Sequence, residues 1–163
     1  MKKLLITVGI VLILFAGAYT FMKMMPPLSA DAFASGSDRQ VQLVTIGNKG
    51  ILGSIKIVEV LVNNDTAPEK VKIQVSSHEK GFIISERFDG KGEESEYTFK
   101  ELDSITLKPR TDPQKQLDQV NAGTAADDDA IYALSINHEE SIDKVFIKYR
   151  HLGITHKIIL ATN

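Results

Sequence analysis

The chain contains no cysteine and no tryptophan, and neither sign of charge dominates it. Without cysteine there is no disulfide framework, no thiolate metal site and no cysteine nucleophile. Lys+Arg at 19 against Asp+Glu at 21 leaves a formal net charge of −2, which excludes a strongly basic nucleic-acid binder and an acidic disordered tail. Basic residues are scattered among acidic ones, so no stripe exists to follow a phosphate backbone and no nucleic-acid partner is expected.

The residues that are present are unevenly spread. Met1-Lys2-Lys3 opens the chain, and Leu4 to Met22 then runs without a single charge. As a helix at about 1.5 Å per residue this run is roughly 28 Å long, close to the thickness of a bilayer's hydrocarbon core. The lysines ahead of it orient the N-terminus to the cytoplasm and export the chain beyond Lys23. The run reads as a retained membrane anchor. The alternative is a signal peptide cleaved after Ala16-Gly17-Ala18, which would release a secreted product. The expected organisation is a cytoplasmic N-terminus at 1–3, a transmembrane helix or signal peptide at 4–22, a linker at 23–37 and an extracytoplasmic domain at 38–163. Pro26, Pro27 and the small residues up to Ser37 suggest the linker.

Beyond Asp38 the pattern has period two. Val71, Ile73 and Val75 alternate with Lys70, Lys72, Gln74 and Ser76. Tyr132, Leu134 and Ile136 repeat the alternation, as do Val145, Ile147 and Tyr149, and then Ile154, Ile158 and Leu160. Such segments are half-buried strands with one face toward a core. Ile55–Val62 is apolar on nearly both faces, as a central strand would be. Weaker strand candidates are 40–46, 82–88, 96–101 and 104–108. One segment breaks the rhythm: Asp112 before Pro113, with Gly123 beyond, predicts a short helix over 113–121. These elements predict an all-β fold, an antiparallel sandwich of immunoglobulin-like architecture with one short helix, with a β-barrel as the rival. No family signature accompanies the architecture.

No motif in the chain assembles a catalytic, cofactor or metal site, so none is expected. Gly47-Asn48-Lys49-Gly50-Ile51-Leu52-Gly53 is rich in glycine, but a phosphate-cradling loop needs a helix next, and a strand comes instead. A strand connection is the expectation. Ser77 with Lys80, and Ser141 with Lys144, match Ser-x-x-Lys, yet neither pair lies in a predicted helix and the partner motifs are missing. His78 and His138 each precede a glutamate in a predicted turn, and His151 and His156 flank a hairpin at Gly153. His156 shares the parity of Ile154 and Ile158 and reads as a half-buried edge histidine rather than a zinc ligand. Asp127-Asp128-Asp129 lacks the wrap of a calcium loop, and Glu93, Glu94 and Glu96 read as solvated charges beside a turn. Asn64-Asp65-Thr66 fits the glycosylation pattern.

The functional expectation is therefore a membrane-anchored, non-catalytic domain that binds a protein or envelope component. An envelope hydrolase whose site gathers distant residues, such as Ser77 or His156 with a carboxylate, is one alternative. A ligand or metal carrier using the space between the sheets is the other.

Overall fold

The computed structural model describes residues 2–89, 91–124 and 130–162. Two antiparallel sheets dominate it. β1 (Leu28–Ser35), β2 (Val41–Asn48), β6 (Ala130–Asn137), β4 (Lys70–Ser77) and β5 (Thr98–Lys100) lie side by side in that order. The smaller sheet has the order β3 (Ile55–Val62), β7 (Lys144–His151), β8 (Ile154–Ala161). A helix, α1 (Lys2–Met24), precedes the sheets, and α2 (Pro113–Asn121) lies between β5 and β6.

The alternating segments turn one face inward, as their period predicts. Val44, Ile46, Ile73, Leu134 and Ile136 of the larger sheet meet Ile55, Ile57, Val60, Val145, Ile147 and Tyr149 of the smaller one in a single core. At about 25 cal/mol per Å² of apolar surface removed from water, this interleaved layer is the main stabilising term. β1 and β8 approach each other at one side without pairing, so the two sheets stay separate.

The structure corrects five sequence expectations. The predicted linker over 23–37 contains a strand, because Leu28–Ser35 pairs antiparallel with β2 and buries Leu28 in the core. Ile55–Val62 is an edge strand, not a central one, and a bulge between Ile57 and Glu59 turns Val58 and Glu59 outward. On its second face Val58 is exposed and Leu61 half-buried. Residues 82–88 form no strand, and of 104–108 only Leu107 pairs, in an isolated bridge to Ile55. Glu94 is buried, not solvated, and its carboxylate accepts hydrogen bonds from the Phe88 and Asp89 backbone N–H groups at 3.3 and 2.8 Å.

The predicted helix forms over Pro113–Asn121. It ends where Gly123 takes φ +66°, and the Gly123 N–H donates to the Val120 carbonyl at 3.0 Å. The predicted membrane span falls on α1, a helix of 23 residues. Among the described residues, no helix is long and apolar enough to cross a membrane. Asp127, Asp128 and Asp129 lie outside the described residues.

Candidate functional site: a cleft between helix α2 and the larger sheet

The outer face of the larger sheet is not left to solvent, and its covering builds the site. Gly47, near the end of β2, makes the first close approach. A Cβ at this position would lie 1.9 Å from the Thr111 carbonyl oxygen and 2.5 Å from Pro113 Cδ. Only glycine lets the chain entering α2 cross β2 this closely. Gln116, the buried face of α2, donates from Nε2 to the Ala130 carbonyl at 3.2 Å and ties the helix to β6.

The opposite wall is residues 81–88, held by side chains instead of a strand ladder. Gln74 is buried on β4, and its amide donates to the Ile83 carbonyl at 3.1 Å and accepts from the Ile83 N–H at 2.9 Å. Ser76 Oγ donates to the Gly81 carbonyl, and Asn137 Nδ2 donates to the Glu86 carbonyl at 2.8 Å. The strap is thus fastened at three points. β2 is buried along nearly its whole length, and Leu43 of β2 and Ala133 of β6 are buried outside the main core cluster.

Between strap and helix a cleft of about 340 Å³ remains open. Thr45 and Ile131 line it from the sheet, Pro113, Gln114 and Leu117 from α2, and Gly81 and Phe82 from the strap. Asp31 and His78 add polar groups to its lining. Leu117 is 49% exposed, so this wall presents apolar surface to whatever enters. The Nε2 of His78 is buried and has no hydrogen-bond partner among the described residues. A mainly apolar concavity with a few convergent polar groups is the usual form of a binding site.

The other sequence candidates are scattered. Ser77 and Lys80 are two ends of one turn: the Lys80 N–H donates to the Ser77 carbonyl at 3.2 Å. The Lys80 ammonium points away, over the Tyr97 ring at 5.0 Å and onto the Glu96 carbonyl. Ser141 is exposed at the far end of the sandwich, where its carbonyl accepts from Asn63 Nδ2 at 2.9 Å. His138 is at that same end, its backbone N–H bonded to the Gln40 carbonyl at 3.0 Å. Asn64 sits exposed in the turn after β3.

His151 and His156 do come together, across the β7–β8 hairpin. His156 is buried and stacks on Tyr149 at 5.1 Å between ring centroids, while His151 Nε2 lies 2.8 Å from the Leu52 carbonyl oxygen. Burial pushes the His156 pKa down, and the nearby charges of His151 and Lys23 push it the same way. Burial also raises the Tyr149 hydroxyl to about 12, against a smaller opposing effect of the Leu28 backbone. Among the described residues, no group of three His, Asp or Glu side chains is placed to hold a metal ion. The Gly47–Gly53 segment is the crossover from one sheet to the other, organised by the buried Asn48. Its Nδ2 donates to the Gly53 carbonyl at 2.9 Å and the Leu107 carbonyl at 3.2 Å, and its Oδ1 accepts from the Gly50 N–H at 2.9 Å.

Neither protein-family models, curated proteins nor solved structures yield a match to this chain.

Proposed function

We propose that the chain is a membrane-anchored extracytoplasmic interaction domain, non-catalytic, that receives an apolar segment of a partner protein in the α2 cleft. The observation that carries the binding role is the cleft itself: apolar walls from Leu117, Phe82 and Ile131, with His78 among the polar groups that line it. Anchoring rests on the charge-free Leu4–Met22 run and on α1, whose side chains Val11 to Phe15 are consecutively exposed. A helix apolar on every side needs an apolar surrounding. An immunoglobulin-like architecture is part of the same reading, supported by two antiparallel sheets with chain crossings between them.

A photo-reactive phenylalanine analogue placed at Leu117 in the full chain, in its native membrane, tests the binding site. The expected result is a specific protein adduct from Leu117 and none from the same probe at Ser141. Thr45→Phe, which fills the cleft, should reduce the adduct at least tenfold in a folded protein. An adduct indifferent to Thr45→Phe would contradict the reading. Loss of cellular function in a folded His78→Ala variant that still forms the adduct would favour the hydrolase alternative.

A further inference from the structure

We propose that the end of the sandwich from which α1 emerges is a lipid-docking platform that rests on the surface of an anionic bilayer. The platform depends on the anchoring reading and adds a second membrane contact, made by the domain itself. Four segments meet at this end. The Lys49 N–H donates to the Pro27 carbonyl at 2.9 Å, and the Arg110 N–H donates to the Gly50 carbonyl at 3.1 Å. A Cβ on Gly53 would lie 2.6 Å from Leu152 Cδ2, so the β2–β3 crossover and the β7–β8 turn touch.

Large apolar side chains project from this assembly. Ile51 is 72% exposed, Leu52 69%, Leu152 52% and Met25 61%. Leu152 also occupies a left-handed backbone position, φ +47°, in a two-residue hairpin turn that ordinarily takes asparagine or aspartate before its glycine. A leucine held there, outward and strained, gains nothing from the core. Neighbouring apolar tips of this kind mark an interaction surface.

Charge identifies the occupant. The segments 23–30, 49–55, 107–111 and 151–156 contain Lys23, Lys49, Lys108 and Arg110, all exposed, and no Asp or Glu. The far end of the sandwich is mixed in charge: Asp38, Glu139, Glu140 and Asp143 are exposed there beside Lys70 and Lys144, and Arg39 pairs with Asp143. Apolar tips fringed by lysine and arginine suit the interface of an anionic bilayer, where the tips enter the acyl boundary and the cations meet headgroups. The chain joining α1 to β1 is only Met25-Pro26-Pro27, so this end faces the bilayer whenever α1 spans it.

The absence of tryptophan makes a direct test possible. Full-length protein carrying one tryptophan, as Ile51→Trp, Leu152→Trp, Asn64→Trp or Phe15→Trp, is reconstituted into phosphatidylglycerol-containing vesicles with brominated acyl chains. Shallow bromines should quench Ile51→Trp and Leu152→Trp at least twofold, with a blue-shifted emission, and leave Asn64→Trp unchanged. Phe15→Trp reports the anchor separately, through deep bromines. Unquenched tips overturn the proposal whichever way Phe15→Trp reads, and quenching there alone leaves the anchor standing without the platform. In the Ile51→Trp protein, Lys49→Glu with Arg110→Glu should reduce the quenching severalfold, and no change would refute the role given to the basic fringe.

Discussion

Ile73 and Lys72 are neighbours in sequence on opposite faces of β4. Ile73 is fully buried in the core, whereas Lys72 points outward and pairs with Glu101. Ile73→Asp places an unpaired carboxylate among apolar side chains and should cost several kcal/mol, while Lys72→Asp should change stability by less than about 1 kcal/mol. Urea midpoints of the two variants measure the contrast. Asn48 makes a sharper claim, because its sequence context reads as a plain connecting loop. Its side chain bridges the 49–53 crossover to Leu107, so Asn48→Ala should cost about 1–3 kcal/mol by removing the hydrogen bonds that Asn48 makes to the Gly53 carbonyl and the Gly50 N–H, while Leu107 keeps its bond from Ile55. His156 carries a pH signature. Its folded pKa lies below the ordinary histidine value of 6.5, so the unfolded chain takes up the proton first as pH falls. Stability is therefore full above about pH 6.5 and declines from there toward the lowered folded value. His156→Phe, which preserves a ring against Tyr149, should remove that part of the decline when Tm is followed from about pH 7.5 to about pH 5, a window that brackets the unfolded value.

Elements are legible in the sequence wherever burial is one-sided. The alternation in Val71–Val75, Tyr132–Ile136 and Val145–Tyr149 locates three strands and their inward faces correctly. β1 escapes notice because Leu28–Ser35 is mostly Ala, Ser and Asp, and its strand character comes from pairing with β2. Residues 82–88 resemble a strand, but Ile83 and Glu86 bond to the Gln74 and Asn137 side chains and the Phe88 N–H to Glu94, not to a neighbouring strand. The cleft is illegible for the same reason. Its residues run from Asp31 to Tyr132 in sequence, and the glycine that seats α2 reads as a connection residue. Gly47→Ala tests that seat. The added methyl meets backbone, which cannot yield as a side-chain tip would, so the substitution should cost more than about 2 kcal/mol. Hydrogen exchange in α2 should accelerate beyond the global loss of stability. Uniform loss across the sandwich would show that α2 is not the element Gly47 positions.

At the scale of the molecule, an apolar helix is joined to a sandwich whose two ends differ in chemistry. Exposed apolar tips fringed by lysine and arginine alone lie beside α1, charges of both signs lie at the far end, and the α2 cleft opens on one broad face. Each feature has its place if α1 holds the domain outside the cytoplasmic membrane with the cleft accessible to a partner. Protease added outside intact cells, against chains tagged at either terminus, tests this arrangement most directly. The C-terminal tag should be removed, the N-terminal tag protected, and the folded domain should sediment with membranes. A protected C-terminal tag, or a soluble fragment beginning near Tyr19, would contradict the anchored topology.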